Sequence, residues 1–213
     1  YWRDWSSEVC SSDLKSIGPI PFRNHRKILI CDETGFCGSM NIAHSETPFY
    51  DLHAKLTGPC VGHLSNVFLD TLDESNSGVV RQPLPSPNPT GKACVQVLQS
   101  NVRKQRRAIQ KVVASQIRGA KSSVLVGSSY FMPPGFLKRA LLFPKCEVKI
   151  LVSGTTDFYP VPGDLLAQTH ALSRFVKRKN TSVALYAREH MHAKFTVVDE
   201  KIVQIGSYNF DRF

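Results

Sequence analysis

Two short stretches of this chain place the same reactive side chains in the same order. His25-Arg26-Lys27 is followed by Asp32 and then by Gly38-Ser39-Met40-Asn41, and His192-Ala193-Lys194 by Asp199 and then by Gly206-Ser207-Tyr208-Asn209. On an extended strand, residues two apart project to one face, so each His and its Lys can address a single ligand. An imidazole can attack as a nucleophile or donate a proton, and the lysine beside it suits an anionic group such as phosphate. Ser39, Asn41, Ser207 and Asn209 add neutral hydrogen-bonding groups, and the glycines before them let the backbone approach closely. Two copies together supply a nucleophile on one side of a phosphodiester and an acid on the other, as in-line displacement through a covalent intermediate requires. A lone H-x-K carries no signal, but its recurrence with the Asp and the G-S-x-N does. The spacing differs at one point: five residues separate Asp32 from Gly38 and six separate Asp199 from Gly206, so a shorter turn at Glu33-Thr34-Gly35 is expected to shift Ser39 and Asn41 by a residue.

Alternating strand and helix patterns are available to hold these residues, and they predict an α/β layered fold. Strands are expected at 27–32, 36–40, 53–57, 94–98, 123–127, 148–152 and 182–186, with a closing hairpin at 195–199 and 202–205. Helices are expected at 61–72, 102–117, 134–142 and 165–179, the second with an apolar stripe at positions 102, 109, 112, 113 and 117. Residues 75–92, with four prolines among Ser, Asn and Gly, read as a linker. The internal repeat therefore divides the chain into 15–74, with motif region 20–46, and 93–213, with motif region 187–213. Before His192 the second copy has three strand–helix units that the first lacks before His25, so the first half reads as truncated. Only four residues follow Asn209, so the second half reads as cut short at its end, and a chain of this extent is expected to be inactive and poorly folded by itself. Residues 1–14, a Ser-rich stretch flanked by Trp2 and Trp5 and without periodicity, read as a non-native adapter-like segment outside the fold.

The formal charge is +10 over 213 residues, which favours anionic partners: phosphates, nucleic acid or acidic lipid headgroups. From Asn101 to Lys121 there are seven basic residues and no acid. That stretch is either the solvated face of a helix or a contact for an anionic bilayer; without interleaved aromatic residues it makes a poor nucleic-acid patch. The six cysteines form no C-x-x-C pair, and Cys31 and Cys94 lie in apolar runs, so buried, reduced thiols in a non-secreted protein are expected. His190 is expected on the strand face opposite His192.

The motifs resemble those of the phospholipase D superfamily, and phrases such as Asn24-His25-Arg26-Lys27-Ile28, Gly38-Ser39-Met40-Asn41-Ile42, Ser129-Tyr130-Phe131-Met132-Pro133 and Gly206-Ser207-Tyr208-Asn209-Phe210-Asp211 resemble its cardiolipin synthase-like branch. The resemblance runs over residues 15–213. It implies two pseudo-symmetric halves, each a mixed sheet flanked by helices. It further implies that His25 attacks phosphorus to give a phosphohistidine and that His192 serves as acid and base. Lys27 and Lys194, with Ser39, Asn41, Ser207 and Asn209, would hold the non-bridging oxygens, and Asp32 and Asp199 would orient the imidazoles. No metal or cofactor is expected. The implied substrate is an anionic phospholipid at a membrane surface on the cytoplasmic side, with any anchor outside these residues; a superfamily nuclease acting on nucleic acid is the alternative.

Overall fold

The structure, a computed structural model, describes residues 24–74, 88–89, 91–100, 107–155 and 163–211. The adapter-like segment, most of the Pro-rich linker and residues 101–106 of the basic stretch lie outside the described residues. The fold is α/β, with two sheets and flanking helices.

The first sheet holds β1 (Ile28–Cys31), β2 (Thr34–Gly38) and β3 (His53–Thr57), joined antiparallel in that order. Helix α1 (Cys60–Glu74) covers it, with Val61 and Leu64 buried above Gly35. Gly35 has no room for a larger residue, because a Cβ there would stand 2.9 Å from Leu64 Cδ2. Arg26 alternates away from its neighbours His25 and Lys27: its guanidinium donates to Thr71 Oγ1 at 2.8 Å and to the Ser100 carbonyl at 3.2 Å, tying the strand entry to α1. The expectation of a mixed sheet in this half is corrected, since all three strands are antiparallel. The strand–helix–strand units that make one side of the second sheet parallel have no counterpart among the described residues of the first.

The second sheet has the order β6-β5-β4-β7-β8, built from β4 (Ser123–Ser128), β5 (Glu147–Ser153), β6 (Thr181–Tyr186), β7 (Phe195–Val198) and β8 (Ile202–Ile205). Helices α3 (Gly135–Leu142) and α4 (Gly163–Leu172) are the crossovers that make β4, β5 and β6 parallel; β7 and β8 add antiparallel. Helix α2 (Ala108–Gly119) packs with α3, and its buried Val113, Ala114 and Ile117 join Val124, Val126, Val148, Ile150, Phe131, Phe175 and Phe210 in the main core. Lys111 and Arg118 lie on its exposed side, as a solvated face requires. Gly127 is also constrained: a Cβ there would enter the ring of Phe195, its partner across the ladder.

Three further expectations are corrected. Residues 94–98 form no strand; Cys94 and Val95 are exposed, Gln99 donates to Asp70 of α1, and the Ser100 carbonyl accepts from Arg26. Helix α4 stops at Leu172, seven residues early. There the Ser173 hydroxyl takes the His170 carbonyl at 2.7 Å, and the following turns bring Phe175 against Phe131. Cys31, expected inside, is exposed, as is Cys94; the five described cysteines are free thiols.

Candidate active site

The H-x-K histidines sit just before β1 and β7, the strands that lead each motif hairpin. The one-residue difference in spacing is absorbed in the turns. Cys31 pairs with Thr34 across a two-residue turn, and Val198 pairs with Ile202 across three residues. Beyond the turns the registers agree, with Cys37 opposite Ile28 and Ile205 opposite Phe195. Ser39 and Asn41 are therefore not displaced, contrary to the expected shift. Both motif aspartates occupy the same left-handed conformation at the first turn position, Asp32 with φ 51° and Asp199 with φ 53°. Asp tolerates this region better than most side chains.

The motif lysines behave alike too. Lys27 Nζ donates to the His25 carbonyl at 3.1 Å, and Lys194 Nζ to the His192 carbonyl. Lys194 is 2% exposed, whereas Lys27 is half-buried. Withdrawal from water pulls the Lys27 pKa down to about 8, against the opposing pull of Glu46 and Asp51.

Each catalytic-candidate imidazole is anchored through Nδ1. His25 Nδ1 lies 3.0 Å from the Ser207 carbonyl, which joins the first motif to the G-S-x-N loop of the second. A carbonyl only accepts, so Nδ1 carries the proton and Nε2 keeps its lone pair. Desolvation, and then the charge of Lys27, lower the His25 pKa to about 4; Lys194 and His192 act in the same direction, and the Ser207 carbonyl opposes them. His25 is thus a neutral base within electrostatic reach of both lysines and the other histidine.

His192 is buried, and its Nδ1 stands 2.9 Å from Asp51 Oδ2. Asp51 was not among the residues picked out by the motifs. Burial would raise its pKa, but hydrogen bonds from His192 and Ser39 outweigh that and hold it below the usual carboxylate range. Ser39, fully buried, donates to Asp51 and lies 3.0 Å from the Leu52 carbonyl. Asp51 reaches the second half through a backbone clamp: Tyr50 N–H donates to the His190 carbonyl at 2.9 Å, and the Tyr50 carbonyl accepts from His192 N–H at 2.8 Å and Ala193 N–H at 3.1 Å.

The expectation that Asp199 and Asp32 orient the imidazoles is corrected. Asp199 lies seven residues beyond His192, a distance of about 23 Å along extended chain. Its carboxylate accepts the backbone N–H groups of Lys121, Ser122 and Ser123 at 2.7–3.0 Å, and these bonds hold its pKa well below the ordinary value. It staples the β7–β8 hairpin to the start of β4. Asp32 is exposed and makes no side-chain hydrogen bond among the described residues. Of the other candidates, Asn41 Nδ2 donates to Glu46 Oε2 at 2.6 Å, while Asn209 Oδ1 is buried without a hydrogen-bond partner among the described residues. His190, expected on the opposite face, lies on the same side as His192, with ring centres 6.2 Å apart.

The paired H-x-K hairpins sit on an α/β scaffold, and phosphatidylserine synthase from Haemophilus influenzae shares the fold (TM-score 0.53, 15% identity, 83% of this chain and 52% of that one). Residues 113–213 match the family model described as cardiolipin synthase, PLD-like domain. Cardiolipin synthase 1 of Bacillus anthracis is 28% identical over 90% of this chain, and cardiolipin synthase of Halalkalibacterium halodurans 30% identical over 90%. The chain spans 41% and 40% of the lengths of those two relatives.

Proposed function

We propose that the protein is a phosphatidyltransferase of cardiolipin synthase type, converting two phosphatidylglycerols into cardiolipin and glycerol through a phosphohistidine. The observation that carries this reading is the mutual reach of His25, Lys27, His192 and Lys194, with each imidazole fixed through Nδ1 by an acceptor from the other half. On this reading residues 15–74 and 93–213 contribute one PLD-like half each, and 75–92 link them.

His25 Nε2 attacks the phosphorus of one phosphatidylglycerol, forming the P–N bond as the P–O bond to glycerol breaks. His192, held through Nδ1 by the Asp51 carboxylate, gives its proton to the departing glycerol oxygen. It then takes the proton from a headgroup hydroxyl of a second phosphatidylglycerol, whose oxygen attacks phosphorus and releases His25. Lys27 and Lys194, with Ser39, Asn41, Ser207 and Asn209 around them, neutralise and orient the non-bridging oxygens. Asp51 takes the orienting role first assigned to the motif aspartates.

No helix among the described residues is long and apolar enough to cross a membrane. Lys111, Arg118 and Lys121 on and after α2 give an exposed basic surface suited to an anionic bilayer, at about 1 kcal/mol for each residue close to it. The test is turnover of labelled phosphatidylglycerol by the intact protein in mixed micelles, with and without chelator. Cardiolipin and free glycerol in both conditions are expected. Cleavage of DNA with no lipid product, or complete loss of activity with chelator, would contradict the reading.

A further inference from the structure

His190 takes no part in the chemistry above, yet it is 7% exposed and bonded at both ring nitrogens. Its Nδ1 lies 3.2 Å from the Thr155 carbonyl and 3.3 Å from Ser153 Oγ, and its Nε2 lies 3.1 Å from Ser129 Oγ. Because the Thr155 carbonyl only accepts, Nδ1 carries a proton, and Nε2 pairs with the Ser129 hydroxyl. Ser129 directly follows β4 and Ser153 ends β5, so the ring joins the ends of two core strands to the loop leading into His192. Ser153 Oγ adds a second tie by accepting the Met191 N–H at 3.1 Å.

The opposite side of the same ring faces the first half. Phe49 meets it edge-on, with centres 4.8 Å apart and planes at 61°, and the same Phe49 lies 6.1 Å from the His192 ring. The His190 carbonyl receives the Tyr50 N–H. Residues 49 and 50 are thereby held by His190 through ring and backbone, and Asp51 follows them directly.

We infer that His190 is a positioning residue, a ring held at both nitrogens that locks segment 49–51 onto the second sheet and so sets the Asp51–His192 pair. The inference rests on the reading of His192 as the acid and base. A buried hydrogen-bonded ring resists rotation, and its influence on the reaction runs only through what it aims.

A double-substitution cycle on the intact protein tests this, read by phosphatidylglycerol turnover and by the NMR signal of the His192 Nδ1–H proton. His190→Phe keeps the ring contact with Phe49 but loses both nitrogens, and should lower kcat about 10²-fold with KM within about twofold. His190→Asn, whose amide can donate to the Thr155 carbonyl, should recover most of that loss. In an Asp51→Asn background, His190→Phe should cost less than about threefold more, as expected of residues acting through one contact. The His192 Nδ1–H signal should broaden or vanish in His190→Phe while cooperative unfolding is retained. Ser129→Ala, which removes only the donor to Nε2, replaces His190→Phe if that variant does not fold, and should broaden the same signal. Independent, multiplying effects of His190→Phe and Asp51→Asn, or an unchanged His192 signal, would overturn the inference. If the unsubstituted protein does not turn over phosphatidylglycerol, the proposed function fails, and the NMR signal still decides the role of His190.

Discussion

The two motif copies share their residues, hairpin register and left-handed aspartates, yet they sit in different surroundings. In the second copy β7 is an interior strand between β4 and β8, and His192 and Lys194 are 5% and 2% exposed. In the first, β1 pairs only with β2 among the described residues, and His25 is more exposed as a residue than His192, although its ring is crowded enough for desolvation to lower its pKa. The anchors differ in charge as well: a neutral carbonyl holds His25 and a carboxylate holds His192. The carbonyl orients His25 with the Nε2 lone pair free, whereas the carboxylate sets a negative charge against the His192 ring. On the proposed mechanism, identical motifs take opposite tasks from what lies beside them, His25 as nucleophile and His192 as acid.

That contrast is most exposed at the carboxylates. Asp51→Asn should lower kcat/KM by about 10²-fold or more, because His192 loses the carboxylate that anchors its Nδ1. Asp199→Asn should instead lower Tm by several degrees, with a much smaller change in rate at temperatures where the protein is folded. Steady-state kinetics and thermal unfolding of both variants check this. Equal rate losses with unchanged Tm would return Asp199 to the reacting centre.

The pH dependence sharpens the same contrast. His25 must be neutral to attack, so kcat/KM should fall about tenfold per unit as pH drops below about 4, where this depressed imidazole gains its proton. Lys27 must be charged, so activity should decline as pH rises through about 8. Lys27→Arg keeps its charge at that pH and should remove the alkaline decline. A pH–rate profile of both forms measures it, and an alkaline limb unchanged in Lys27→Arg would separate that limb from Lys27.

The smallest contrast lies in the paired glycines. A Cβ at Gly38 would collide with the Leu52 carbonyl and the His53 backbone, whereas one at Gly206 meets nothing within 4 Å. Gly38→Ala should destabilise by about 1–3 kcal/mol, and Gly206→Ala should stay within about 0.5 kcal/mol. Denaturant unfolding of the two variants compares them directly.

Much of this arrangement could be read from residue order. Alternation along a strand puts Arg26 opposite His25 and Lys27, and the repeat identifies both hairpins. The orienting carboxylate was hidden because nothing local marks it. Asp51 lies ten residues after Asn41, outside any motif, and meets His192 only through the Tyr50 clamp between the halves. The length of extended chain between His192 and Asp199 was a usable warning that the motif aspartate could not reach its own imidazole. The end of α4 was missed for a tertiary reason, since burial of Phe175 against Phe131 bends a segment whose composition would continue the helix. Likewise, residues 94–98 have strand-like composition but no neighbouring strand to pair with among the described residues.

The division of labour between the copies is tested most directly by trapping the covalent intermediate. In His192→Asn intact protein given phosphatidylglycerol with an activated leaving group, attack survives while breakdown of the intermediate slows. Acid quench and peptide mapping should then find an acid-labile phosphatidyl group on His25. Label on His192 in a His25→Asn variant, with none on His25 in the reverse experiment, would contradict the account.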